Sequence, residues 1–345
     1  MNHQPNPLDY RLSLIVPVYN EEVAIEPFLA AINDKLSSIR SHIDIVFIND
    51  GSKDNTKYVI DKMIEQDSSI SSLVNFARNF GKEAAMTAGL DYVQGDAAVI
   101  MDVDLQDPPE VILEFVDLWL TGDYDTIYGV RVDRSQDTYT KRLTAGGFYR
   151  FFNFLSAETT LPENAGDFRL INRCVIETVK QLPERNRFMK GLLAWSSLRA
   201  TGVNFQRPER FIGDTKFNYW KLWNFAMDGI TSFTAWPLRV WGFVGFGISL
   251  LSFIFLMYIV ISALCFGVHT PGYASTISVV LFLGGIQLIS LGVIGGYVSR
   301  IYTELKHRPI YLVEDVYGNY RNNQQESNNR HHTQTTLNKY SNRYE

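Results

Sequence analysis

Ala97-Ala98-Val99-Ile100-Met101-Asp102-Val103-Asp104-Leu105-Gln106-Asp107 is an apolar run that breaks into a cluster of acids, closed by Pro108 and Pro109. Such a run reads as a buried strand ending in a loop at its carboxyl edge. Two carboxylates one residue apart on that loop offer hard oxygen ligands to a divalent cation, and the cation can hold a diphosphate. A lone Asp-x-Asp serves equally as an acidic turn capping the helix that begins near Pro109. What else gathers around the motif decides between the two.

Working outward, Leu12 to Val18, Ile43 to Ile48, Ser72 to Phe76 and Thr126 to Tyr128 are further short apolar or β-branched runs, most of them separated by amphipathic stretches of helical length. This alternation predicts an α/β fold with a parallel, doubly wound sheet. Ligands in such sheets bind beyond the carboxyl ends of the strands. The residues there are Pro17 to Glu22, Asn49 to Ser52, Ala77 to Lys82, the acidic cluster, and Gly129 to Arg131, all polar or glycine-bearing segments. No G-x-G-x-x-G follows the first strand and no G-x-x-x-x-G-K-[ST] occurs, so neither a dinucleotide dehydrogenase nor a P-loop NTPase has support.

The chain has 345 residues, room for one large domain with an appendage or for two domains, and a formal net charge of -5 that makes no case for nucleic acid. Cys174 and Cys265 lie far apart without metal-ligand spacing and read as small buried apolar residues. Residues 1–11 are polar and carry no secretory signal, which predicts a catalytic half that stays in the cytosol.

Uncharged runs occupy 240–266 and 270–299, each longer than the roughly 20 residues a bilayer crossing needs. They predict two transmembrane helices, about 240–266 and 274–299, in a hairpin. Arg239 before the first and Arg300, Lys306 and Arg308 after the second place both outer ends on the cytoplasmic side. Phe217 to Trp236 mixes Phe217, Trp220, Trp223, Ile230 and Phe233 with Lys221, Asn224 and Asp228, as an interfacial helix does. From residue 318 to Glu345 the composition becomes Asn, Gln, Ser, Thr and His, which predicts a disordered polar tail. The expected order is a cytosolic catalytic domain over 1–210, interfacial helices over 211–236, the hairpin over 237–300, a cytosolic segment over 301–317, and the tail. A soluble donor and a lipid acceptor would meet at the membrane boundary.

Several segments carry a family resemblance: Val16 to Glu22, Ile48 to Asp54, Arg78 to Glu83, Asp102 to Pro108, Gly166 to Leu170, Leu182 to Gly191, Trp220 to Asn224 and Arg300 to Tyr302. In these the chain resembles family 2, GT-A glycosyltransferases, specifically the polyprenyl-phosphate branch related to dolichol-phosphate mannose synthases. The finer resemblance is to bactoprenol glucosyltransferases of the phage serotype-conversion type. It implies a nucleotide-sugar-binding, Rossmann-like domain and an inverting, metal-dependent transfer of glucose from UDP-glucose to undecaprenyl phosphate for cell-envelope glycan modification. Another donor sugar (UDP-GlcNAc, aminoarabinose or GDP-mannose) and a non-catalytic membrane scaffold are the alternatives. A processive synthase is disfavoured, because no Q-x-x-R-W sequence is present.

The resemblance places Asp50 at the uracil or ribose with Pro17, Tyr19 and Glu21 beside it, and Lys82 and Asp102 at the nucleotide. It assigns Asp104 and Gln106 to Mg²⁺ or Mn²⁺ at the diphosphate. Asp167 matches an acceptor-side aspartate usually assigned as general base; it could instead orient the acceptor, or simply pair with Arg169. Arg131, Arg207, Arg210 and Lys216 are candidate phosphate ligands, and Arg207 and Arg210 suit anionic lipid headgroups equally. The resemblance further implies a multi-pass protein of the inner (plasma) membrane, a homotetramer, and a separate flippase for the product.

Overall fold

The structure is a computed structural model that describes residues 9–66, 70–132, 165–185, 187–206, 236–266 and 272–318. Arg207, Arg210, Lys216, most of the expected interfacial segment (217–235) and the expected polar tail from 319 onward lie outside the described residues.

The described strands are β1 (Leu12–Val18), β2 (Ile43–Asn49), β3 (Ile70–Phe76), β4 (Ala97–Ile100), β5 (Thr126–Arg131), β6 (Ala165–Asn172), β7 (Ala200–Phe205) and β8 (Val313–Gly318). They form one sheet in the order β7-β5-β6-β4-β1-β2-β3-β8. The pairs β1 with β2, β1 with β4 and β2 with β3 are parallel, as the sequence predicts, and so is β5 with β7, a strand the sequence does not mark. The sheet is nevertheless mixed, which corrects the all-parallel expectation: β6 runs antiparallel to β4 and β5, and β8 antiparallel to β3.

Helices α1 (Ile25–Lys35), α2 (Thr56–Gln66), α3 (Lys82–Tyr92) and α4 (Val111–Leu120) fall between the first five strands, and α5 (Arg173–Gln181) and α6 (Met189–Ser196) between β6 and β7. Central strands covered on both faces must be apolar throughout, and every residue of β2 is buried. On α3, Ala84, Ala85, Ala88 and Gly89 are buried. A Cβ at Gly89 would collide with the Ile15 side chain, so glycine there lets the helix lie close to β1. Phe115, Phe168 and Phe205 pack ring against ring across α4, β6 and β7.

Cys174 and Cys265 are both exposed rather than buried. Cys174 falls on the solvent side of α5, whose buried face is Val175, Ile176 and Val179. The chain divides into two compact units, and the second contains two long helices, α7 (Trp236–Phe266) and α8 (Tyr273–Leu305). Both extend beyond the expected spans. Among the described residues one stretch, Phe282–Leu305, is long and apolar enough to cross a membrane; a shorter apolar stretch, Phe243–Phe255, lies in α7. Phe246, Leu251, Phe282 and Leu288 present large apolar side chains outward.

The cytosolic segment expected over 301–317 contains β8, which belongs to the first unit and forms a sheet edge. It is fastened there by Lys57, whose Nζ lies 3.2 Å from both Asp61 Oδ2 and Asp315 Oδ2. Tyr311 adds a ring stacked on Phe76 and a hydroxyl donated to Asp91.

Candidate active site

Because β6 is antiparallel, its first residues lie at the rim where the parallel strands end. Ile100 pairs with Arg169, so the same register carried two residues further brings Asp102 level with Asp167. Lys82, in the first turn of α3, lies between them. Its Nζ is 2.6 Å from Asp102 Oδ1, 2.8 Å from Asp102 Oδ2 and 3.0 Å from Asp167 Oδ2. Burial works against the ammonium, but the two carboxylates outweigh it and hold Lys82 above its ordinary range. Burial likewise opposes the Asp167 carboxylate, yet Lys82 and Lys190 outweigh that and hold it well below the usual carboxylate range. Lys190 Nζ stands 3.8 Å from Asp167 Oδ1. Arg169 Nη2 donates to the Gly166 carbonyl, and its charge adds to the lowering of Asp167.

Asp50 is buried at the end of β2 and uses both oxygens on backbone: Oδ1 accepts from Phe80 N at 2.6 Å and Oδ2 from Gly81 N at 2.9 Å. Its carboxyl is raised by burial, against the pull of these two N–H groups. Asp50 therefore shapes the loop that launches Lys82. Gly51 is required beside it: its φ is +65°, and a Cβ would strike the backbone of Arg78.

The loops after β1 and β2 clasp each other. Asn20, at φ 55°, donates its N–H to Ser52 Oγ at 2.9 Å, and its Oδ1 accepts from Lys53 N at 2.8 Å. Glu21 N donates to Thr56 Oγ1 at 2.9 Å. This holds the backbone of Tyr19 and Glu21 at the rim; Tyr19 is exposed and Pro17 half-buried.

In the acidic loop Val103 is buried, while Asp102, Asp104 and Gln106 are half-buried. Leu105 takes φ 56°, and Asp104 Oδ1 accepts from Gln106 N at 3.1 Å, which closes a tight turn. Among the described residues no three His, Cys, Asp or Glu side chains converge as a ready-made metal cage. Two oxygen donors on a turn fit a hard cation that keeps its remaining positions for water and diphosphate oxygens, as Mg²⁺ does.

Arg131, at the end of β5, has a buried Nε with no hydrogen-bond partner among the described residues. A Cβ at Gly166 would come within 3.3 Å of its Nη2, so Arg131 packs over the residue before Asp167. Lys82, Asp102, Asp167 and Arg131 are thus neighbours. Two further residues had no role assigned from the sequence, Lys190 and Glu83. Glu83 Oε2 accepts from Met189 N at 2.8 Å and so ties the start of α6, with Lys190, to the start of α3. Burial pushes its carboxyl up to about 7, against the pull of the Met189 N–H. The sequence sets Glu83 within Arg78 to Glu83 and Lys190 within Leu182 to Gly191, two of the segments that carry the family resemblance.

Residues 13–180 match the family model described as glycosyl transferase family 2, and residues 236–301 match the GtrB C-terminal hairpin. A Synechocystis protein named as an uncharacterized glycosyltransferase is 50% identical over 89% of this chain and 96% of its own. The bactoprenol glucosyl transferase of Shigella phage SfV is 47% identical over 88% of this chain and 98% of its own. Glucosyl-3-phosphoglycerate synthase from Mycobacterium tuberculosis, solved with Mn²⁺, UDP-glucose and phosphoglyceric acid, is 18% identical over 64% of this chain and 77% of that one, with a TM-score of 0.42. On relatives half identical along most of its length, the chain belongs to glycosyl transferase family 2 and is an enzyme that transfers a glycosyl group.

Proposed function

We propose that the enzyme transfers glucose from UDP-glucose to a polyprenyl phosphate, undecaprenyl phosphate in a bacterial membrane, with inversion at the anomeric carbon. The observation that carries this reading is Lys82 held between Asp102 and Asp167, one carboxylate from the donor-side loop and one from the acceptor-side strand. Similarity to the bactoprenol glucosyl transferases supports the choice of acceptor.

In this reading the loops carrying Pro17, Tyr19, Glu21 and Asp50 bind the nucleoside, and Asp102 and Lys82 face the donor phosphates. Asp104 and Gln106 would hold Mg²⁺ or Mn²⁺, which when bound neutralises charge on the departing UDP. An oxygen of the acceptor phosphate attacks the anomeric carbon as its bond to UDP breaks, and a β-linked product follows from an α-linked donor. A phosphate monoester has a second pKa of about 6 and is largely dianionic at pH 7, so it needs no base. Asp167, held ionised by Lys82 and Lys190, is a poor proton acceptor. It is better suited to orient the acceptor and to stabilise positive charge at the anomeric carbon, while Arg131 grips the acceptor phosphate.

The apolar outer surfaces of α7 and α8 support a hairpin inserted in a membrane, and Arg239, Arg300, Lys306 and Arg308 at its outer ends support a cytoplasmic side for those ends. A homo-oligomer and a separate flippase complete the proposal.

The test is transfer of label from UDP-glucose, UDP-GlcNAc and GDP-mannose into undecaprenyl phosphate by detergent-solubilised enzyme. Label only from UDP-glucose is expected. Label from another donor replaces the sugar, and no transfer from any donor by folded enzyme defeats the reading.

A further inference from the structure

A chain of buried amides runs from β8 to the loop after β1. Glu314 Oε2 accepts from Asn75 Nδ2 at 2.8 Å, and Asn75 Oδ1 accepts from Asn49 Nδ2 at 2.6 Å. Asn49 Oδ1 then accepts from Ser52 N at 3.1 Å and Ser52 Oγ at 2.5 Å. Ser52 Oγ in turn accepts from Asn20 N, between Tyr19 and Glu21. Asn49 and Asn75 sit opposite each other in the register of β2 and β3, and both are buried.

The chemistry of this chain has a direction. A carboxamide has a donor end and an acceptor end, and either orientation fills the same space. A carboxylate only accepts. Glu314 therefore turns the Asn75 NH₂ toward itself, which leaves Asn75 Oδ1 to receive the Asn49 NH₂ and Asn49 Oδ1 to receive Ser52. At the other end the Ser52 N–H, which only donates, demands the same orientation, so the two ends of the chain agree. Without Glu314 the NH₂ of buried Asn75 loses its acceptor, and a buried unmatched donor is costly.

We propose that Glu314 is a positioning residue for nucleotide-sugar binding: from β8, it supplies the acceptor that completes the amide chain holding the Asn20 and Ser52 loops. This rests on the reading that those loops bind the donor. Glu314 follows α8 in the chain, so the segment after the second long helix serves the donor side without touching the donor itself.

The test swaps the polar ends in the full-length, detergent-solubilised enzyme. Asn75→Asp keeps an acceptor for the Asn49 NH₂ but sets a carboxylate against Glu314; their repulsion should pull the chain apart and raise the KM for UDP-glucose about tenfold, the scale of one charged hydrogen bond. Adding Glu314→Gln to Asn75→Asp supplies a donor to the new carboxylate, whose other oxygen still receives the Asn49 NH₂. Donor KM should return to within about threefold of wild type. Across both variants the KM for undecaprenyl phosphate and the kcat at saturating donor stay unchanged, which a general loss of stability would not allow. Glu314→Ala should behave like Asn75→Asp if that variant fails to fold. Calorimetric binding of UDP reads the same contrast independently of turnover. The proposal is overturned if donor KM and UDP affinity are unmoved by the single substitutions, if acceptor KM rises in step, or if the double variant is no better than Asn75→Asp. Wild-type enzyme that binds no UDP overturns the donor-loop reading itself, a result distinguishable from all of these.

Discussion

Lys82 Nζ reaches both oxygens of Asp102, at 2.6 and 2.8 Å, so the first turn of α3 is bound to the acidic loop after β4 by a two-pronged ion pair. The same ammonium also serves Asp167, and its removal would leave two carboxylates facing each other across the cleft. The Lys82 side chain is 40% exposed, so the pair acts on chemistry more than on stability. Lys82→Met should lower kcat/KM for transfer roughly 100-fold, with the circular dichroism of the folded enzyme retained. Equal losses of activity and helical signal would assign Lys82 to folding instead.

Asp104 and Gln106 share one tight turn with Leu105 at φ 56°. EDTA should abolish transfer by the wild type, and Mg²⁺ or Mn²⁺ should restore it. If Asp104 and Gln106 are the two protein ligands, Asp104→Ala should require at least about tenfold more metal for half-maximal rate. Identical metal titrations for the two proteins would remove Asp104 from the ligand set.

The strands that were legible in the sequence are those whose burial leaves no choice of residue. Leu12 to Val18 is β1 to the residue, because a central strand with helices on both faces admits only apolar side chains. β6 was missed because it carries Gly166, Asp167 and Arg169, and those residues are polar because the strand begins at the rim. β7 and β8 lie at the sheet edges, where polar residues are tolerated, so no unbroken apolar run marks either of them as a strand. Asp102 and Asp104 could be singled out from spacing. The meeting of Asp102 with Asp167 through Lys82 could not, since it depends on an antiparallel register that local patterns do not encode.

The low proton affinity of Asp167 separates two mechanisms. If the acceptor phosphate needs no base, the acid limb of kcat/KM for acceptor follows the phosphate itself, near pH 6. Asp167→Asn should then lower the rate about 100-fold or more while leaving that limb in place, because the asparagine keeps the shape and loses the charge. Disappearance of the limb in the variant would make Asp167 the base.

Glu83 gives the enzyme a pH-dependent stability of defined sign. Its carboxyl titrates at about 7 in the folded chain, against an ordinary value of 4.5. Burial dominates this shift; Asp167 adds to it, while the Met189 N–H, Lys190 and Lys82 oppose it. Between those two pH values the folded state holds a proton that the unfolded state has released. The contribution is therefore fully present below about pH 4.5 and is lost as pH rises through about 7. Glu83→Gln keeps an oxygen for the Met189 N–H but cannot titrate. Thermal unfolding of the full-length protein in detergent, from about pH 5 to 7.5, should show the wild type losing stability relative to Glu83→Gln as pH rises. Parallel curves would mean that Glu83 is already ionised throughout this range and that its hydrogen bond to Met189 alone explains its place at the start of α6.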